Sequence, residues 1–143
     1  MADDELYNQT YNELKTYIIA NSIYLPTVLK DAPLQLNISP LVTMSRPEST
    51  FADENLHKGE QKFNVTFEIN IYVKTKEISG QIVTKNTISK ELRKLVDEIM
   101  FTKYGMNRIT DRPIPNLDSD ILRIFLRYTC LFDKDKAIIY RNK

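Results

Sequence analysis

The stretch Phe63–Lys76 constrains the fold more than any other part of the chain. Its odd positions through 73 read Phe, Val, Phe, Ile, Ile, Val, and its even positions read Asn, Thr, Glu, Asn, Tyr, Lys, Lys. Side chains alternate between the faces of a sheet with a period of two, so this pattern describes a long strand with one buried and one polar face. A slip of one residue would turn every apolar side chain to the wrong side, which makes the register firm. The rest of the chain must therefore supply a cover for the odd face and partners for the two edges. No residue in the stretch is suited to catalysis, and the sequence by itself names no reaction.

At 143 residues the chain is expected to form one domain over 1–143, large enough for a real core without disulfides. The single cysteine, Cys130, allows no internal disulfide and fits a reducing compartment. Twenty basic residues against nineteen acidic ones leave a net charge of +1, which gives no electrostatic drive toward nucleic acid or membrane. No apolar run approaches spanning length, and the acidic start Asp3-Asp4-Glu5 is unlike a signal peptide. The expectation is a soluble protein made inside the cell. Three glycines in all, Gly59, Gly80 and Gly105, exclude the glycine-rich phosphate loops.

Helix signals flank the long strand on both sides. Tyr7, Tyr11, Leu14 and Ile18 recur at helical spacing behind the acidic start, which predicts a helix over Asp4–Asn21. Its tyrosine stripe reads as core packing with the hydroxyls at the rim; a partner-binding surface is the alternative. Downstream, Ile88, Leu92, Leu95, Val96, Ile99 and Met100 mark one helical face, capped by Asn86 or Thr87 and closed by Gly105, which predicts a helix over Thr87–Tyr104.

The remaining segments are less periodic. Ile23–Leu36, with Pro26 and Pro33, reads as a connector with a short helical turn at Thr27–Lys30. A first strand is expected over Pro40–Arg46, lying at a sheet edge or beginning late, because proline offers no donor. Arg46–Gln61 is polar and aperiodic, a long loop whose Phe51 and Leu56 would anchor it against the core or against a neighbouring chain. Glu77–Lys85, around Gly80, reads as a turn with a brief extended segment, and Asn107–Asp120 as a crossing loop stiffened by Pro113 and Pro115. Ile121–Phe132 alternates again, with Leu122, Ile124, Leu126, Tyr128, Cys130 and Phe132 on one side, and Asp133-Lys134-Asp135-Lys136 turns it into a returning strand over Ala137–Arg141.

Together these predict an α+β fold: a small mixed or antiparallel sheet of about four strands, two helices packed on one face, and a long loop between the first and second strands. The uncovered face would carry Thr66, Glu68, Asn70, Tyr72, Arg123, Phe125 and Arg127, with Glu68 placed to pair with Arg123 or Arg127. Phe125 between two arginines suits an interface; a solvated face with scattered charges is the alternative.

No constellation of residues points to catalysis, a cofactor or a metal. The chain has no Cys/His cluster, no HExxH, no GxSxG and no phosphate-binding glycine loop. His57, beside Asp53 and Glu54, is the only histidine and reads as part of a solvated loop. Cys130 falls on the core face as a small buried hydrophobe. The basic set Lys74, Lys76, Lys85, Lys90, Arg93 and Lys94 is interrupted by Glu77 and Glu91, a weak signal for nucleic acid. An enzyme or binding module using the His57 loop, and a monomeric nucleic-acid-binding domain, are the competing classes.

The order of elements resembles the tail terminator, or tail completion, proteins of long-tailed bacteriophages. The parts that carry the resemblance are the helix Asp4–Asn21, the strand Pro40–Arg46, the loop Arg46–Gln61, the alternating strand Phe63–Lys76, the helix Thr87–Gly105 and the hairpin Ile121–Arg141. The Tyr104-Gly105 helix end, the loop Pro113-Ile114-Pro115-Asn116 and the closing Ile139-Tyr140-Arg141 have the family's character too. The likeness spans nearly the whole chain at the level of pattern. It implies a non-enzymatic virion protein of the tail or neck, assembled in the host cytoplasm. Such a protein forms a homo-oligomeric ring, usually a hexamer, that caps the tail tube, stops its growth and meets the head–tail connector, with no cofactor. Another head–tail connector or neck protein, or a small non-viral binding module, is the alternative. A closed ring needs a heterologous contact. The candidate interface residues are Arg46, Glu48 and Phe51 in and around the long loop, and Arg123, Phe125 and Arg127 on the polar sheet face.

Overall fold

The computed structural model describes residues 3–31, 39–51, 62–114, 120–133 and 138–140, with side chains over 5–31, 39–45, 64–114 and 120–131. Along the chain run α1 (Asp3–Asn21), β1 (Thr27–Lys30), β2 (Leu41–Phe51), β3 (Lys62–Val73), β4 (Lys76–Ile78), β5 (Gln81–Val83), α2 (Lys85–Asp97) with a π-helical extension (Glu98–Lys103), β6 (Asn107–Ile114), β7 (Leu122–Asp133) and β8 (Ile138–Tyr140). Strand β3 lies in the middle of a six-stranded mixed sheet of order β1-β2-β3-β7-β6, with β8 also paired to β7. Among the described residues of this sheet the β1–β2 pair is parallel and the other pairs are antiparallel.

The predicted register holds. Val65, Phe67, Ile69, Ile71 and Val73 are all fully buried. They form one core cluster with Ile124, Leu126 and Tyr128 of β7 and with Leu14, Ile18, Leu92 and Val96 of the two helices. Helix α1 packs on β1 and β2, and α2 on β3 and β7, so both helices cover the same face. Each large side chain removed from water there contributes about 1.5–3 kcal/mol, which makes this single layer of contacts the main source of stability.

The tyrosine stripe of α1 belongs to the core. Tyr7 and Tyr11 are buried, and their hydroxyls donate to the backbone carbonyls of Met44 (2.8 Å) and Val28 (2.9 Å). The rings thus fill space under the sheet while the polar ends meet strand carbonyls, that of Met44 shared with the Asp31 N–H. Helix α2 begins two residues earlier than predicted: Thr84, in extended conformation, accepts from the Thr87 N–H and is the cap, in place of Asn86 or Thr87. At the far end Gly105 closes the helix at a φ of 69°, as its sequence position implied, and the Met106 N–H reaches back to the Met100 carbonyl at 2.9 Å.

Several expectations are corrected. Thr27–Lys30 is a strand, not a helical turn: it pairs with β2 in parallel, from Thr27↔Leu41 to Lys30↔Met44, so β2 is not an edge strand. β2 runs on to Phe51, so Arg46, Glu48 and Phe51 lie in a strand and not in a loop. Three steps along β2, from Ser45 to Glu48, oppose two along β3, from Glu68 to Thr66. The extra residue is taken up at Arg46-Pro47, a bulge that accommodates a proline without a donor. β3 ends at Val73, where the alternation stops, and Lys76 opens the separate β4–β5 hairpin. Ser79 and Gly80 both have positive φ in its two-residue turn, the geometry that follows the strand twist. Asn107–Ile114 is also a strand and not a loop, pairing with β7. Leu56, His57, Asp53 and Glu54 fall outside the described residues.

Candidate functional site

The uncovered side of the sheet is the candidate site. Register places Tyr72 beside Arg123, Asn70 beside Phe125, Glu68 beside Arg127 and Thr66 beside Thr129 on β3 and β7. β2 extends these rows with Leu41, Thr43 and Ser45, and β6 extends them with Ile114, Arg112 and Thr110. The face is ordered by its own polar chemistry. Arg127 is hydrogen-bonded to Glu68, and its guanidinium also lies 5.6 Å from the Phe125 ring centroid. Arg123 donates from Nε to Asn70 Oδ1 at 3.0 Å and lies 5.4 Å from the Tyr72 ring centroid.

Of the two partners offered to Glu68 by sequence, the structure selects Arg127, within the sheet, because the two are directly opposite in register. Exposed ion pairs of this kind contribute little to stability. Their role here is to hold two arginines and one aromatic ring in fixed positions, the composition that protein interfaces favour. Arg127 Nε is buried without a hydrogen-bond partner, so the Glu68 bond is made by the outer part of the guanidinium.

One end of this face is not open. Tyr72 and Leu41 are buried with Ile121 in a second small apolar cluster, against which Leu29 packs. Asn70 and Thr43 are buried as well. The usable surface is therefore narrower than the alternation implied, and centres on Glu68, Phe125 and Arg127. Of the residues singled out from sequence, Arg123, Phe125 and Arg127 are brought together. Arg46, Glu48 and Phe51 belong to the far half of β2, with Glu48 paired to Thr66 and Phe51 to Phe63, and their side chains lie outside the described residues.

A second polar assembly lies on the helix side, between α2 and β6. Arg93 pairs with Asp111, and Arg108 reaches both Asp97 (3.3 Å) and Asp111 (3.7 Å). The buried Tyr128 donates to Asp97 Oδ1 at 2.8 Å. Burial first, and the Asp97 bond second, push the Tyr128 phenol far up from its ordinary value. No spacing in the sequence joins these residues, which come from three elements. A bulge aligns them: Arg108 opposes Tyr128 and Thr110 opposes Arg127, so the extra residue Ile109 returns Asp111 to the helix side.

Two further phenol–carboxylate bonds cross between α1 and the π-helical turn, Tyr17 to Glu98 and Tyr104 to Glu13. The Tyr104 bond, helped by Lys103 at 3.1 Å, holds the Glu13 carboxyl below its ordinary range. Between them lies a groove of about 370 Å³ floored by Ala20 and Ile99. Burial pushes the Cys130 thiol up to about 12, so it stays protonated and packs as an apolar group, as read from its place in β7. Among the described residues no group of three or more His, Cys, Asp or Glu side chains is placed to hold a metal ion, and no helix is long and apolar enough to cross a membrane.

No protein-family model and no curated protein matches the chain. Its fold is found again in a solved chain from the virion of a native gene transfer agent (GTA) particle, with a TM-score of 0.60 over 84% of this chain and 91% of that one. Sequence identity across the match is 12%, so what the two chains share is the fold.

Proposed function

We propose that this protein is a structural virion component of the tail-terminator kind. Copies of the chain form a ring, six in the arrangement the resemblance implies, that seats on the last ring of the tail tube, stops its polymerisation and presents a surface to the head–tail connector. The role is one of assembly, without catalysis or cofactor, in the tail or neck of a particle put together in the host cytoplasm. The observation that carries this reading is the fold shared with a virion chain along most of both lengths. The element order that resembles tail terminators runs over nearly the whole chain. The open sheet face supports it further, since Arg123, Phe125 and Arg127 are held in place by Asn70, Tyr72 and Glu68. On the distal half of β2, Glu48 is opposite Thr66 in register and continues the row of this face, whereas Phe51 is opposite Phe63 in a row of the other face.

Tube polymerisation tests the reading. Tail-tube protein from the same particle is allowed to polymerise with increasing amounts of this protein, and tube lengths are measured by negative-stain electron microscopy. Substoichiometric amounts are expected to shorten the tubes, with rings seated at their ends. Tubes of unchanged length with no added density at either end would overturn the terminator role; binding to the connector protein alone would move the chain to another station in the neck.

A further inference from the structure

The helix-free face of the sheet is uneven in charge. Its central rows across β3, β7 and β6 are Tyr72–Arg123–Ile114, Asn70–Phe125–Arg112 and Glu68–Arg127–Thr110, so three arginines stand there against one carboxylate. That carboxylate, Glu68, is taken by Arg127. The positions of β2 and β1 that continue these rows, Leu41, Thr43, Ser45, Thr27 and Leu29, carry no charge. Among the described residues the other carboxylates are remote or engaged. Glu48 lies one row further along on β2, and Asp31 follows β1. At about 4.8 Å per strand these are about 14 and 19 Å across the sheet from β6. Asp111 is bound on the helix side by Arg93 and Arg108, and Asp120, just before β7, has an interaction of its own.

The three arginines are in different states. Arg127 is spent within the sheet, on Glu68 and on the Phe125 ring. Arg123 donates to Asn70 from Nε, which leaves its two terminal nitrogens. Arg112 is exposed on the terminal strand and has neither hydrogen bond nor ion pair among the described residues. Register sets each of the two available arginines directly across from an apolar side chain, Arg112 from Phe125 and Arg123 from Ile114. The arginine is on β6 in one pair and on β7 in the next, so charge and apolar surface alternate in both directions. Phe125 and Ile114 are only half-buried, so part of each is open to a partner.

From this we infer that the β6–β7 half of the open face binds a protein segment in which acidic and apolar side chains alternate. Its carboxylates meet Arg112 and Arg123, and its apolar groups meet Phe125 and Ile114. Three arginines less Glu68 leave two positive charges on this half, and two carboxylates neutralise them. Arginine takes a carboxylate through two parallel bonds, and the apolar contacts alongside exclude the water and salt that would weaken such bonds. A nucleic acid fits less well. Bases stack on open rings, whereas Arg127 already lies on Phe125, and two surplus charges do not form a track for a phosphate backbone. The inference rests on the reading of this face as the assembly surface and names the chemistry of what it meets.

The test measures binding of the tail-tube protein and of the connector protein from the same particle, at low and high salt, with circular dichroism to check folding. Arg112→Glu is expected to weaken binding to one of them by about tenfold or more and to flatten its salt dependence. Arg112→Gln, which leaves no charge to misplace, should weaken it less and serves if the first variant misfolds. Arg112→Lys should keep most of the affinity, and a carbodiimide should then couple position 112 to an aspartate or glutamate of the partner, located by mass spectrometry. Unchanged affinity in Arg112→Glu, or no coupling from position 112, would overturn the acidic partner. If Phe125→Ala alone weakened binding, the face would remain the assembly surface without it. Displacement of the bound protein by a short single-stranded oligonucleotide, abolished in Arg112→Glu, would reassign the site to nucleic acid. A wild-type chain that binds neither protein would remove the assembly reading itself, and this inference with it.

Discussion

Replacing Phe67 by alanine is expected to destabilise the protein by about 3–5 kcal/mol, measured by urea unfolding. Phe67 is fully buried in the cluster that joins β3, β7 and both helices. No neighbour can follow the lost ring without moving a helix, so a cavity remains. Small domains have about 5–15 kcal/mol in all, and this one substitution removes much of that. Phe125→Ala supplies the control: the same residue type sits on the next strand of the same sheet, half-buried on the other face, and its loss is expected to cost about 1 kcal/mol or less. Equal costs at the two positions would mean that the helices do not shelter one side alone.

The second large effect is expected at Tyr128. Its hydroxyl is the only part of a fully buried ring that reaches a charge, donating to Asp97 at 2.8 Å. A hydrogen bond to an ionised partner contributes about 1.5–3 kcal/mol, and Tyr128→Phe is expected to lose about 2 kcal/mol, because Arg108 still neutralises Asp97. The variant carries a pH signature as well. The folded phenol titrates above its ordinary value of 10.0, through burial and then the Asp97 bond. Its contribution is fully present below pH 10 and lost as pH rises through the folded value. Stability of Tyr128→Phe should therefore fall less steeply than wild type above pH 10. Identical alkaline slopes would show that the phenol is not held as described.

Much of the fold was legible because two strands and one helix obey single periods. β3 and β7 alternate, and both bury one face under the helices; Ile88, Leu92, Val96 and Met100 keep helical spacing and are all buried. What escaped the sequence lacks any period for a physical reason. β1 has four residues, too few to alternate twice, and it is held by a parallel pairing that no turn announces. β6 lies at an edge with most of its side chains in water, so nothing selects apolar residues there, and Pro113 sits where a missing donor faces outward. β2 continues through Pro47 only because a bulge absorbs it.

The site divides along the same line. Arg123, Phe125 and Arg127 were legible because strand register alone places them on the face that the helices leave bare, and Glu68 opposite Arg127 follows from the same register. The network of Arg93, Asp97, Arg108, Asp111 and Tyr128 was not, since it depends on a one-residue bulge and on the approach of α2 to β6. The burial of Tyr72 and Asn70 was also hidden: period-two alternation assigns a face but does not say what covers it.

Covalent footprinting of phenylalanine side chains, compared between the isolated chain and the assembled particle, tests most directly whether the helix-free face of the sheet is the assembly surface. Phe67 should resist labelling in both states, while Phe125 should label in the isolated chain and become protected on assembly. Phe125 labelled to the same extent in both states would contradict the account.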